Sequence, residues 1–552
     1  MSQNVSFNLV DEPWICVRDL GGATREVSLL ELFEQASSIK CLANDLPTQD
    51  FAILRVLLAV LQRAISPTLD DDDVPAEVWG RLWRAHELPI DQIHEYLDEW
   101  HHRFDLFDEE QPFMQVAGLH TAKNEFSEIR KVIADIPDGD TLFSLRSGEG
   151  ADRLTFSESA RWLIHVHAFD TAGIKSGTVG DARVKKGKSY PIGTGWSGCL
   201  GGLCFEGPSL KETLLLNSIL CGDEINELFS DDDLPCWEKS TAPAGVDDLA
   251  PTGRLDLYTW QARRVRLIPE SGYVVAVVLT NGDKLAQINR QDYEPMTAWR
   301  RSPNQERQLK LPLVYLPKTH QPRRALWRGL DSVFGVSSPE ADSTVLGSGL
   351  KGWVSYLASR DAGCQLDDAL IQVHAIGMEY GTQNSVVSNV INDTVKLSAF
   401  LLSSEGKDLA ALAKSLASST SDSVFTLGTF AANLCVASGG NGADELKGAK
   451  ERAETRTFFE IDMPFRQWLA GLNESSNAEV ERKRWRRTAR AIIEANASAL
   501  LREAGPEAIV GAPMKTGKIN GWMTASRAKA MLDTTLKKYL PLEEDEPRDK
   551  EV

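Results

Sequence analysis

The sequence predicts an α+β protein, with a mixed α/β N-terminal body followed by a C-terminal helical bundle of the four-helix type. Three observations carry that expectation. The run GYVVAVVLT at 272–280 is apolar and β-branched, which reads as a buried strand. The segments around it place apolar residues at helical spacing, so the first part of the chain mixes both element types. From 395 to 538 the chain is almost free of proline and rich in Ala, Leu, Lys and Glu, with apolar positions repeating at helical intervals. A chain of 552 residues exceeds what one core fills. We therefore expect a body over 1–392, a bundle over 393–540 and a charged tail over 541–552.

Taken in order, the opening residues alternate loosely and end in Pro13, Trp14 and Ile15, fitting an edge strand that leads to a turn at Gly21 and Gly22. Ser28 before LLELFEQA predicts an N-capped helix with Glu31 in the capping-box position. A helix is expected over 51–65, then an acidic linker at 70–73, then a helix over 77–104 with Trp and Leu at helical spacing. Periodicity is lost over 112–155, where IPDGD and RSGEGADR read as a long loop of the kind that binds more often than it packs. Helices resume at 157–167 and 209–220, and DDDLPCW at 231–237 reads as a loop. The 272–280 strand is expected to close in a turn at Asn281 and Gly282. The last dozen residues, PLEEDEPRDKEV, have the composition of a disordered tail.

The net charge is −19, which argues against indiscriminate coating of nucleic acid. Fields are screened within ~8 Å at physiological salt, so contacts with anions must come from local patches. Eight cysteines and no CxxC pair point to reduced thiols, a cytoplasmic setting and no zinc site. No basic, then apolar, leader opens the chain, and the most apolar stretch, 51–65, contains Arg55 and Arg63 and is too short for a membrane span. No cofactor is expected.

Catalytic signatures are scarce. No nucleophile elbow, phosphate-binding loop, HExxH or dinucleotide fingerprint is present. The densest polar cluster is His101, His102 and Asp105 with Asp108, Glu109 and Glu110, which could serve a metal-dependent nuclease. The competing reading is an exposed helix end, because adjacent histidines point to different sides of a helix. His165 and His167 near Asp170 read as ordinary helix histidines.

Features suited to nucleic acid stand out more. Residues 171–196, TAGIKSGTVGDARVKKGKSYPIGTGW, hold five basic side chains against the single acid Asp181, with six glycines. Small residues let a backbone approach a surface closely, and the local charge opposes the global one. In ERKRWRRTAR at 481–490, Arg482, Lys483, Arg486, Arg487 and Arg490 share a helical face, suited to phosphates or paired with nearby acids. Residues 290–328 are basic as well, nine Lys or Arg against three acids. Thr382, Gln383 and Asn384 follow a glycine, where amides on a compact tip could meet base edges.

Together these pieces resemble the large subunit of the type I-E CRISPR surveillance complex, Cascade. FNLVDEPWICV at 7–17 is similar to that family's opening strand, and QPFMQ at 111–115 to its HPFMQ signature. Phe143 and its loop, the glycine-rich segment, EPMTAWR at 294–300 and GMEYGTQNS at 377–385 follow in the family's order.

The resemblance implies a non-catalytic subunit that binds the crRNA 5′ end and reads the protospacer-adjacent motif (PAM) of target double-stranded DNA, mainly from the minor groove. It implies partners as well: the other Cascade proteins, crRNA, and a helicase–nuclease recruited after target binding, with no membrane. By position, Gly173, Ile174, Lys175, Ser176 and Gly177 would be the glycine-rich loop. Lys284 would be the lysine finger, Thr382, Gln383 and Asn384 the wedge, and Phe143 the contact to the crRNA handle. Arg183, Lys185, Lys186 and Lys188 would hold phosphates. Two departures from the family are visible: Lys175 and Ser176 stand where glycines are expected, and 264–283 lacks the cysteines some relatives carry there. A scaffold binding only RNA or protein is the further alternative beside the nuclease.

Overall fold

The computed structural model describes residues 5–68, 74–136, 149–220, 232–245, 250–335, 344–359, 366, 369–516, 519–542 and 545. The acidic 70–73 stretch, Phe143 and most of the tail lie outside these. Chain contacts divide the molecule into two units. The first comprises Met1–Arg323, Gly335–Gln365 and Ile371–Thr394; the second comprises Arg324–Phe334, Leu366–Leu370 and Val395–Val552. Strands and helices mix in the first and long helices dominate the second, as the α+β expectation has it.

In the first unit a small antiparallel sheet has Ile15–Asp19 between Thr24–Val27 and Ile39–Leu42. The opening strand is thus central rather than an edge and begins at Ile15; Trp14, just before it, is buried with its indole donating to the Leu9 carbonyl. Ser28 caps the helix Leu29–Glu34 by accepting from the Glu31 N–H. The helix Pro47–Ile65 starts four residues before its expected position, with Pro47 supplying a first-turn residue that needs no donor. It is apolar on almost every face, as a helix must be to lie inside a core. Its one deeply buried cation, Arg55, meets Glu294 through two hydrogen bonds of 3.0 and 2.8 Å. The expected 77–104 helix is broken: Pro75–Arg84 and Ile90–Trp100 are separate, parted before Pro89, and His101–Arg103 is a 3₁₀ turn.

Two further antiparallel sheets matter for the site. Strands Arg263–Glu270 and Tyr273–Asn281 form a hairpin, with Ser127–Glu128 along its outer edge. The hairpin turn is at Ser271 and Gly272, both with positive φ, so Asn281 and Gly282 end the strand instead of turning it. Strands Leu370–Tyr380 and Val387–Ser398 form a second, longer hairpin, flanked by Gly202–Glu206.

The second unit holds four long helices, Lys407–Ala437, Ala443–Ala470, Ala478–Glu503 and Ala525–Tyr539. Aromatic rings fill its centre: Trp327 stacks on Phe465 at 4.4 Å, and Phe465 meets Trp485 edge-on at 4.9 Å. Both indoles have partners, Trp327 donating to Asp462 and Trp485 to Thr420. A short hairpin, Ala512–Thr516 with Ile519–Met523, interrupts the helical pattern. Among the described residues no helix is long and apolar enough to cross a membrane.

Candidate nucleic-acid interface

The helix Phe156–Phe169 is the platform beneath the glycine-rich segment. Thr155 and Glu158 close a reciprocal capping box at its start, which satisfies two orphan backbone donors. His165 and His167 are fully buried within it. His165 meets the Thr48 hydroxyl at 3.0 Å and stacks on Phe169, and His167 bonds the Met114 carbonyl at 2.8 Å. Burial pulls their pKa values down to about 3 and about 4, so both are neutral core groups. Asp170 caps the C-terminal end.

At Asp170 the chain enters a buried ionic knot. The Arg263 guanidinium, wholly buried at the start of its strand, bonds the Asp170 carboxylate through Nε. Its Nη2 donates to three backbone carbonyls, Thr171 and Gly193 at 2.9 Å and Asp170 at 3.2 Å. The Lys175 ammonium reaches back to the same carboxylate oxygen at 2.5 Å, and its side chain is 9% exposed. Burial alone would push the Asp170 carboxyl up, but Lys175 and Arg263 together outweigh it and hold it below the usual range. Burial likewise pulls the Lys175 ammonium below its ordinary value, against the attraction of Asp170.

Beyond this knot the segment doubles back. Lys175 and Ser176 pair antiparallel with Ser189 and Lys188, and the Gly177 N–H bonds the Gly187 carbonyl at 2.9 Å. Strand alternation explains the side-chain directions: Ile174 and Ser176 are exposed while Lys175 turns inward. Gly177 has to be glycine, since a Cβ there would lie 2.5 Å from the Val184 side chain. Arg183, Lys185, Lys186 and Lys188 are all exposed. Lys186 and Gly187 take positive φ at the turn.

The other expected pieces meet this segment. Thr382, Gln383 and Asn384 form the exposed tip of the long hairpin, with Gln383 and Asn384 in the left-handed region at φ 57° and 54°. The Asn384 carbonyl accepts from the Ala172 N–H at 2.8 Å, so the tip is joined to the glycine-rich loop. Tyr380, at the end of the incoming strand, donates to the Phe169 carbonyl at 2.6 Å. On the other side, the Asn281 amide donates to Ser189 Oγ and the Tyr190 carbonyl, at 3.1 and 2.9 Å. Two residues on, Asp283 is held by Arg264 at 2.5 Å, and Lys284 projects from this anchored base as an exposed side chain. Gly282 permits the close approach, as a Cβ would lie 2.4 Å from the Gln261 carbonyl.

Between loop and tip lies an open cleft of about 430 Å³. Ile174, Ile136 and Val386 supply apolar walls, with Arg130, Lys131 and Lys188 contributing cations. A surface of this kind, with small backbone turns, amides on a rigid tip and unneutralised lysines, can follow a groove and its phosphates.

Other candidates lie apart from it. His101 is committed to Asp11 at 2.7 Å and Asn8 at 3.2 Å, and His102 stacks on Trp100 instead. Among the described residues no group of three His, Cys, Asp or Glu side chains is placed to hold a metal ion. On the 481–490 helical face Arg482 pairs with Glu479 and Arg490 is buried against Glu494 and Asp545, while Arg484, off that face, pairs with Glu481. The sequence motifs at 111–115 and 294–300 supply structural clamps. Gln115 bridges the Leu106 carbonyl and the Leu267 N–H, and Glu294 receives Arg55, Trp196 and the Met296 N–H.

The sequence alone gives Asp170 and Asn281 no part in the site and does not single out Arg263. The only signal was a pair of arginines, Arg263 and Arg264, opening an apolar strand, where a cation needs a buried partner.

Comparison with known proteins supplies the family. The sequence pattern of the family described as CRISPR-associated protein Cse1 matches residues 8–495. The crystal structure of Thermobifida fusca Cse1 is 40% identical, with a TM-score of 0.86 over 97% of this chain and 98% of that one. Cse1 from Acidimicrobium ferrooxidans is 27% identical with a TM-score of 0.81, over 98% of this chain and 100% of that one. CRISPR-associated protein CasA/Cse1 of Thermus thermophilus is 32% identical over 307 residues, 53% of this chain, and the match spans 55% of that relative's length. The order of motifs, the fold around them and the span of the family match agree: the chain belongs to the CRISPR-associated Cse1 family.

Proposed function

We propose that this protein is the non-catalytic large subunit of a type I-E surveillance complex, and that it recognises the PAM of target double-stranded DNA from the minor groove. The loop of Gly173, Ile174, Lys175, Ser176 and Gly177 would lie along the base edges. Thr382, Gln383 and Asn384 would wedge at the first pair to be opened, and Lys284 would reach groove acceptors. Arg183, Lys185, Lys186 and Lys188 would hold phosphates. Phe143, outside the described residues, would meet the crRNA handle, and a helicase–nuclease would be recruited once the duplex is open.

The observation that supports this best is the convergence of segments far apart in sequence. Ala172 bonds Asn384, and Asn281, three residues before Lys284, bonds Ser189 and Tyr190. Unstacking one base step costs a few kcal/mol, to be offset by phosphate contacts and guide pairing. A tip held rigid by its own backbone wastes little of that on ordering itself. The minor-groove code is degenerate, so several PAM sequences should be tolerated.

The test is target binding by the assembled complex. Gln383→Ala and Lys284→Ala are expected to weaken binding to PAM-bearing duplex while assembly and guide retention stay intact. Unchanged PAM-dependent binding in both variants would sink the assignment.

A further inference from the structure

We infer that Arg263, Asp170 and Lys175 form a buried positioning centre that sets the backbone of the 173–177 loop for the groove, without any of the three touching DNA. The inference rests on the reading of that loop as a groove reader. It also gives Lys175, a cation in a loop proposed to contact DNA, a role other than a phosphate contact.

The geometry separates the two roles. A phosphate-binding lysine presents its ammonium to solvent, as Lys185, Lys186 and Lys188 are placed to do. Lys175 instead inserts its side chain to 9% exposure and ends on Asp170 at 2.5 Å. Arg263 is spent in the same way, on the Asp170 carboxylate and on the carbonyls of Ala262, Asp170, Thr171 and Gly193. The chain is therefore tied to one guanidinium at both ends of the segment: at Thr171 on the way in and at Gly193 on the way out. Lys175 adds the third tie, from within the loop itself. Its neighbours Ile174 and Ser176 must then face outward, because side chains alternate along an extended backbone.

The same stretch carries the hairpin tip. Ala172, between the Arg263-bound Thr171 and the loop, donates to the Asn384 carbonyl. Tyr380 donates to the Phe169 carbonyl one residue before Asp170. Displacing the 170–172 backbone would thus move the loop and the wedge together.

Salt dependence distinguishes positioning from contact. Each phosphate contact to duplex DNA contributes ~0.9 to the slope of log K against log salt, whereas a positioning residue contributes none. The experiment uses the assembled complex with guide RNA, and duplexes with and without a PAM selected from a randomised library, titrated over a salt series. Lys175→Met is expected to lower affinity for the PAM duplex about tenfold or more through loss of alignment, with the slope unchanged. Lys175→Arg, which keeps the charge, is expected to restore most of that loss. Lys188→Met provides the contrast, reducing the slope by ~0.9.

A slope reduced by ~0.9 in Lys175→Met would make this lysine a phosphate contact and overturn the inference. Unaltered affinity in Lys175→Met would do so too, as would failure of Lys175→Met to assemble, since a centre that only aligns the loop leaves the rest of the body intact. Gln383→Ala in the same series separates the two levels. If it weakens PAM binding while Lys175→Met does not, the groove reading stands and the positioning centre falls. If neither weakens it, both fall.

Discussion

Gln383 carries the clearest conflict between local preference and use. Its backbone is left-handed at φ 57°, where an L side chain costs ~1–2 kcal/mol and glycine costs nothing steric. Its side chain is exposed, and the surrounding turn is closed by backbone bonds from Asn384 to Gly381 and from Gly381 to Val386. The strain is therefore not relieved by packing, as expected of a residue kept for what its amide can reach. Gln383→Gly should stabilise the protein by about 0.5–1 kcal/mol, the relieved strain less the extra entropy of glycine. The same variant should weaken PAM-duplex binding. Denaturant midpoints read the first and duplex titration the second; a destabilised Gln383→Gly would mean that the amide holds the turn. Gly177 and Gly282 show the opposite logic, where space rather than strain dictates the residue.

At the scale of elements, the helix Phe156–Phe169 ties the site to pH. Both of its histidines are neutral in the fold, at about 3 and about 4, against an ordinary value of 6.5. Above pH 6.5 folded and unfolded chains hold the same protons on these rings, and the fold keeps its full stability. Below it the unfolded chain binds protons that the folded one refuses, so stability is lost as pH falls towards the folded values. Each histidine contributes a slope of ~1.4 kcal/mol per pH unit in this window. Asp50, whose burial lifts its carboxyl to about 6, runs the opposite way below that pH, so the difference between variants is the clean measure. His165→Gln should flatten the stability–pH curve between about pH 6 and 4 by ~1.4 kcal/mol per pH unit relative to the parent. An unchanged curve would mean that His165 is protonated in the folded state.

How much of this was legible follows the range of each interaction. Helices whose caps are local were readable: Ser28 before Leu29–Glu34, and the periodic stretches of the bundle. The break before Pro89 was legible in principle and masked by the strong Trp and Leu spacing around it. The hairpin turn was misplaced because Asn-Gly at 281–282 is a stronger local turn signal than Ser-Gly at 271–272, yet long-range pairing of Arg263 with Asn281 put the turn at the latter. The basic face at 481–490 left two readings open, phosphates or nearby acids; Glu479 and Glu494 lie within one helical turn of their arginines, and only Asp545 comes from far along the chain. The glycine segment was recognised by composition, but the inward turn of Lys175 depends on Asp170 and Arg263. The latter lies 93 residues from Asp170, beyond any local pattern.

For the whole molecule the question raised by the proposed role is how a chain of net charge −19 would hold DNA at all. Screening confines each charge to roughly 8 Å at physiological salt, so the distant acids matter less than the exposed cations at the surface of contact. Here those are few. Lys185, Lys186 and Lys188 are exposed and form no ion pair among the described residues, whereas Arg482, Arg484 and Arg490 of the bundle are paired with Glu479, Glu481, Glu494 and Asp545. Affinity would then depend weakly on salt for a DNA-binding protein, and base-edge contacts would carry a large share of it. Replacing Lys185, Lys186 and Lys188 together by Gln in the assembled complex should reduce the slope of log K against log salt by ~2.7, as for three phosphate contacts. The loss should be nearly equal for duplexes with and without the PAM, because phosphates carry no sequence. Gln383→Ala should do the reverse, leaving the slope intact and erasing the difference between the two duplexes. A triple variant that lost PAM preference at constant slope would move the recognition from the hairpin tip to the lysine turn.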